Sequence, residues 1–179
     1  RIYYGALLHD VGKIAIPLEI LEYPGKLSPQ AMKIMKTHVQ ISEDILRGAV
    51  ADDVCEIAIR HHEKLDGSGY PRGLAAADLS TGERIVAIAD IISALSGTRS
   101  YKTAFSKDKI CTIITEMKDA GLIDADIVEL MISDYDEIME ETRIQCQPIL
   151  DIYVLIQKDF DRISLAMTVD DIAGMKAVF

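Results

Sequence analysis

The chain has 179 residues, 49% of them apolar and none of them tryptophan, which suffices for one well-buried core and leaves a second cramped. A formal charge of −10 excludes a broad nucleic-acid surface, because the phosphate backbone is repelled, yet it permits a small phosphate-bearing ligand where metal ions or a few local cations reverse the sign. No apolar run approaches the ~20 residues that span a bilayer, so no membrane contact is expected. Cys55, Cys111 and Cys146 are widely spaced and form no metal-like pair, which predicts buried thiols in a reducing, cytoplasmic compartment.

Helical periodicity dominates, and no alternating strand stands out. The opening RIYYGALLHD is no signal peptide; it reads as the second half of a helix, so a segment upstream is expected to be missing. That helix is predicted over Ile2 to about Val11, with Gly12 beginning a short connection. Pro17 opens a brief helix that ends before Tyr23-Pro24-Gly25. Ser28-Pro29 supplies an N-cap and a first-turn proline. The next helix then sets Ala31, Ile34, Met35, His38, Ile41 and Ile45 on one face and closes at Gly48. Another is predicted from Asp52 to His62, with Val54, Ile57, Ala58 and His61 in one stripe. Glu63 to Ser80 has no periodicity, and a loop of that length in a compact domain points to function. Ser80 or Thr81 caps a helix through IVAIADIISAL to Gly97, SKDKICTIITEMKDAG stops at Gly121, and Asp124 to about Glu141 forms a further helix. After Gln147 an amphipathic helix over Ile149 to Phe160 and a weaker tail are expected, with Met131, Ile138, Ile149, Ile152 and Leu155 favoured for core packing.

The polar residues inside these patterns carry the chemistry. The four histidines are His9, His38, His61 and His62, and each falls on or beside a core-facing helix. Asp10 follows Ala6-Leu7-Leu8, and Asp90 interrupts IVAIADIISAL. A buried carboxylate without a partner costs several kcal/mol or more, and lysine and arginine are scarce beside these two. Divalent metals solve the problem, since imidazole and carboxylate suit them, and the absence of nearby thiolates favours Fe, Mn, Zn or Ni over soft copper. A lone histidine on an apolar face is ordinarily a hydrogen-bonded core residue. Here the coincidence of four, with two aspartates needing compensation, outweighs that reading.

HDVGK, the isolated His38, HHEKLDGSGYP and IAD followed by RSYK together resemble the HD-GYP phosphodiesterases, a branch of the HD metal-dependent phosphohydrolases. The resemblance covers about Ala6 to Glu140. It implies an all-α fold: a single helical bundle, residues 1–143, with its N-terminal helix missing and a long GYP loop; beyond the match, residues 144–179 are expected from their own pattern to form a helical extension that packs or oligomerises. It also implies hydrolysis of cyclic di-GMP to pGpG or GMP, or of a related cyclic dinucleotide. His9 and Asp10 become the HD ligands, with Asp10 bridging two divalent ions, Fe or Mn ahead of Zn or Ni. His38, His61 and His62 complete one ion's shell, and Asp90 joins His9 and Asp10 on the other. Lys13 faces the scissile phosphate, Arg99 and Lys102 bind phosphate, and Tyr70 offers its ring face or hydroxyl to the nucleotide. Without the family, Lys13 equally reads as a cation complementing a helix C-terminus, and Arg99 and Lys102 as solvated charge.

Residues of the loop have readings of their own. Gly67 and Gly69 permit positive φ or close backbone approach, Pro71 stiffens the exit, and Asp66 with Gly67 forms a turn. Glu63 is expected to orient a ligand histidine. The chain departs from the family pattern at Ser93, ordinarily acidic, and at Leu65, ordinarily aromatic. With the upstream ligand helix absent, at most two metals are expected. A catalytically silent module that binds nucleotide or a partner, and an HD phosphohydrolase acting on another phosphoester, are the rival functions. A homodimer or a fused sensor or receiver domain are the expected associations.

Overall fold

The computed structural model describes the backbone of residues 1–97 and 104–176, and the side chains of these as far as residue 164. Arg99 and Lys102 lie outside the described residues. Regular structure among the described residues is entirely helical, so the all-α expectation holds. The chain divides into two compact units, Arg1–Ile132 and Ser133–Phe179. No described helix is long and apolar enough to cross a membrane.

In the first unit α1 (Ile2–Leu8) leads through a 3₁₀ segment, Val11–Ala15, to the short α2 (Leu18–Leu21). The α-helix thus ends three residues before the expected Val11. The reason is a contact with α3 (Pro29–Leu46): the Ser42 hydroxyl accepts from the Gly12 N–H at 2.9 Å and donates to the His9 carbonyl at 3.3 Å. Only glycine fits at Gly12, since a Cβ there would lie 2.1 Å from the His38 carbonyl oxygen and 2.6 Å from the Ser42 nitrogen. This grip also sets the rotation of α3. Its buried residues are His38, Val39, Ser42 and Leu46, whereas the expected Ile34 and Ile45 are exposed. Hydrophobicity alone picked a face about one residue off, because the face is chosen partly by a hydroxyl. The Ser28 cap is as expected, accepting from the Ala31 N–H at 3.2 Å.

α4 (Asp52–Ile59) presents Val54, Cys55, Ile57, Ala58 and Ile59 inward. Val39, Leu46, Cys55, Ala58 and Ile59 form a core cluster, against which Leu8, Val11, Val50 and Tyr70 pack. Of these, the buried Val39, Leu46 and Ile59 each contribute about 1.5–3 kcal/mol by leaving water. Of the cysteines only Cys55 is buried; Cys111 is half-buried and Cys146 exposed, so the expected set of buried thiols shrinks to one. α4 stops at Ile59 rather than His62, and Arg60 leaves helical geometry as its cap. α5 (Thr81–Ser96) begins with a reciprocal cap, Ser80 accepting from the Glu83 N–H and Glu83 from the Ser80 N–H at 2.7 Å. α6 (Lys107–Asp119) and α7 (Ala125–Ser133) complete the series.

The predicted helix from Asp124 to Glu141 is in fact two, since the chain breaks at Asp134 before α8 (Tyr135–Lys176). α8 runs 42 residues straight through Pro148, absorbing the separate amphipathic helix expected after Gln147. Between Tyr135 and Phe160 there is no glycine to stop it, and one proline removes a single ladder N–H. Ile138, Ile149, Ile152 and Leu155 are exposed on it rather than packed in a core.

Candidate metal centre and the loop beside it

Four imidazoles and two carboxylates converge in the first unit. His9 and Asp10 sit where α1 hands over to the 3₁₀ segment, His38 lies in α3, His61 and His62 follow the end of α4, and Asp90 is in α5. Because α4 has already ended, His61 and His62 escape the ~100° divergence of helical neighbours. Their ring centroids are 4.0 Å apart, and His38 lies 5.6 Å from His61 and 5.3 Å from His62.

The histidine tautomers follow from backbone carbonyls. Nδ1 of His9 lies 2.6 Å from the Ala6 oxygen, that of His38 2.7 Å from the Met35 oxygen, and that of His61 2.6 Å from the Ala58 oxygen. A carbonyl can only accept, so each Nδ1 carries hydrogen. In His38 and His61, which stay neutral, Nε2 is then a bare lone pair. Burial holds the His38 pKa below its usual value and takes His61 to about 4. For His62, burial and then the His61 ring lower it to about 3. His9 behaves differently. Burial opposes its charge, but its contacts with Asp10 and Asp90 raise it to about 10. Burial likewise works against ionisation of Asp10, and contacts with His9 and Lys13 outweigh it, leaving the carboxyl well below the usual range. Asp90 is held low in the same way, by His9 first.

His9 Nε2 stands 3.2 Å from Asp10 Oδ2 and 3.6 Å from Asp90 Oδ1. Asp10 Oδ1 faces His38 Nε2 at 3.5 Å and His61 Nε2 at 4.0 Å. Lys13 Nζ meets Asp10 Oδ2 at 2.5 Å, so a lysine does lie beside Asp10, one turn along, contrary to the expectation that basic residues are scarce there. The fit to a metal is tested by what remains unpaired. Asp10 Oδ1, His38 Nε2 and His61 Nε2 are buried with no hydrogen-bond partner. Such atoms cost a few kcal/mol apiece unless something cationic meets them. His38, His61 and His62 form one group with ligand atoms within 4.8 Å of one another, and His9, Asp10 and His61 another. Imidazole nitrogen with carboxylate oxygen is a donor set for divalent transition ions. The residues fit. Asp90 meets these groups through His9.

The loop after His62 folds against this centre. Glu63 was expected to orient a histidine. Instead its buried carboxylate accepts from the Arg72 N–H at 2.7 Å and the Leu74 N–H at 3.0 Å, pinning the loop's return. Gly67 has φ of 78°, and a Cβ on Gly69 would lie 2.5 Å from the Glu63 Cα, so one glycine serves conformation and the other close approach. Asp66 Oδ1 accepts from the Ser68 N–H at 2.9 Å, and the Tyr70-Pro71 peptide is cis. The Tyr70 ring stacks on His62 with centroids 4.7 Å apart, and Lys36 Nζ lies over it at 4.3 Å. That ring braces a histidine, which leaves the hydroxyl rather than an open face for a ligand. Arg72 binds Glu43 of α3 at 2.6 Å, tying the loop to the scaffold. Replacing Glu63 with alanine strands two N–H groups and should cost about 3 kcal/mol, read as a lower melting temperature with faster amide exchange at Arg72 and Leu74. An unchanged melting temperature contradicts that role.

Sequence reasoning missed Lys36, Ser42 and Arg72. Ser42 was findable as a polar residue one turn after His38; nothing in the local pattern marked the other two. Beside His61 and His62 opens a cavity of about 230 Å³, lined also by Lys36, Lys64, Tyr70 and the apolar Ile91, Met117 and Ile123.

A family model for the HD domain matches residues 1–127. The chain belongs to the HD domain family. The chain is 42% identical over 133 residues to 3'3'-cGAMP-specific phosphodiesterase 2 of Vibrio cholerae, covering 73% of this chain and 25% of that protein. It is 46% identical over 106 residues to the cyclic di-GMP phosphodiesterase response regulator RpfG of Xanthomonas campestris, covering 58% and 28%. A cyclic di-GMP phosphodiesterase of Thermotoga maritima is 45% identical over 105 residues, covering 57% and 28%. The chain thus spans little more than a quarter of the length of these relatives. With the HHE and GYP segments in place, this HD domain falls in the HD-GYP branch.

Proposed function

We propose that this chain is the catalytic part of a metal-dependent phosphodiesterase that hydrolyses cyclic di-GMP or 3'3'-cGAMP. The observation that carries the reading is the set of three buried, partnerless acceptors, Asp10 Oδ1, His38 Nε2 and His61 Nε2, beside a cavity large enough to admit a nucleotide base. His38, His61 and His62 would hold one divalent ion, and His9 and Asp10, with Asp90 beside them, a second, Fe or Mn by family resemblance. When bound, such ions supply Lewis acidity toward phosphoryl oxygens and make water a usable nucleophile near neutral pH.

The protein's own groups do the rest. Lys13, paired with the Oδ2 of Asp10, would turn its ammonium toward a phosphoryl oxygen as negative charge grows there. The backbone carbonyls of Ala6, Met35 and Ala58 fix three rings so that their Nε2 atoms need no reorientation on loading. Tyr70 keeps His62 in place by stacking, and its hydroxyl stays protonated because burial, and then Asp90 and Asp10, push its pKa up. Arg99 and Lys102 add phosphate contacts by family resemblance.

The test is hydrolysis. Protein reconstituted anaerobically with Fe(II) or Mn(II) should convert cyclic di-GMP or 3'3'-cGAMP to a linear dinucleotide, resolved by chromatography. Absence of any linear product from both, with metal bound, overturns the reading.

A further inference from the structure

The cavity beside His61 and His62 carries two cations that no carboxylate neutralises, one of them, Lys36, resting on the Tyr70 ring. Lys36 enters it from α3 and Lys64 from the turn after His62. The neighbouring cations are already engaged with carboxylates: Lys13 with Asp10, Arg60 with Glu56 and Glu83, and Arg72 with Glu43. Among the described residues neither Lys36 nor Lys64 has a carboxylate within ion-pairing distance. Glu63, the acidic residue lining the cavity, spends its oxygens on the Arg72 and Leu74 N–H groups. In a chain of net charge −10, two ammoniums without a carboxylate partner in one cavity form a local anion site. The same cavity presents Ile91, Met117 and Ile123, a surface suited to the face of a purine.

We propose that Lys36 and Lys64 form an anion subsite for the second phosphodiester of a cyclic dinucleotide whose first phosphodiester lies at the metal centre, with one base against Ile91, Met117 and Ile123. The proposal rests on the phosphodiesterase reading and deepens it. A substrate with a single phosphodiester has nothing to place there. The subsite therefore contributes binding for two-phosphate substrates alone and enters KM rather than the reacting bond.

The experiment compares cyclic di-GMP with bis(p-nitrophenyl) phosphate, using metal-loaded wild type, Lys36→Met, Lys64→Met and Lys36→Arg. Each methionine variant should raise KM for cyclic di-GMP about tenfold with little change in kcat. That loss should exceed the loss on the nitrophenyl ester by a similar factor, while Lys36→Arg stays within about threefold of wild type. Equal losses on both substrates mean that the lysines act through Tyr70 and His62, and overturn the proposal, as does an unchanged KM. Should wild type turn over no cyclic dinucleotide, the phosphodiesterase reading falls separately. The subsite is then judged by the equilibrium Kd for cyclic di-GMP: a tenfold weakening in the methionine variants sustains it, and equal or absent binding removes it.

Discussion

Asp10→Asn should strip the protein of most of its bound metal and lower phosphodiester hydrolysis on the order of a thousandfold or more. Asparagine keeps the shape of the side chain and removes its charge. Oδ1 faces two bare imidazole nitrogens, at 3.5 Å and 4.0 Å, while Oδ2 meets His9 at 3.2 Å and Lys13 at 2.5 Å. No other carboxylate reaches both groups of ligand atoms among the described residues. An amide there offers one weak oxygen and turns an N–H₂ donor toward either a cation or His9. Metal content by inductively coupled plasma mass spectrometry and turnover, measured on the same sample, check this. The circular dichroism spectrum should stay that of the wild type, because the core cluster of Val39, Leu46, Cys55, Ala58 and Ile59 is untouched. Full metal occupancy with wild-type turnover in Asp10→Asn would remove the basis for a shared metal centre.

How much of this was legible before the fold was known depends on the kind of signal. The helices with chemical punctuation were readable: Ser28-Pro29 and the Ser80–Glu83 box stand where the caps were expected. The histidines and aspartates were readable too, since charge and imidazole in apolar runs are costly and therefore informative. Their grouping was less so, because whether His61 serves one set or two depends on where α4 stops, and a helix end one turn early is not written in hydrophobic periodicity. The face of α3 was misread for a related reason: Ser42 is polar by composition and buried by partnership with Gly12 and His9. Glu63 looked like a histidine's partner because it follows two of them, but a loop that turns back brings Arg72 and Leu74 nearer than any ring. Tertiary hydrogen bonds made these choices, and a one-dimensional pattern does not hold them.

Those hydrogen bonds make the second large effect one of stability as much as chemistry. Gly12→Ala should destabilise the protein by about 3–4 kcal/mol, lower its melting temperature by roughly 10 °C and weaken metal retention. The added methyl would lie 2.1 Å from the His38 carbonyl and 2.6 Å from the Ser42 nitrogen, both backbone atoms of a continuous helix. α3 cannot yield without breaking its ladder, so the 3₁₀ segment must lift away and take Asp10 with it. The Gly12 N–H then loses Ser42 Oγ at 2.9 Å, leaving a buried donor and a buried hydroxyl short of partners. Ser42→Ala separates the two components. It removes the hydroxyl, costing about 1–2 kcal/mol, but leaves the backbones free to touch, so metal retention should stay near wild type. Thermal melts with and without a chelator read both quantities. If Gly12→Ala melts within a couple of degrees of wild type and holds its metal, the approach of His9–Asp10 to His38 does not depend on this contact, and the link between fold and metal centre lies elsewhere.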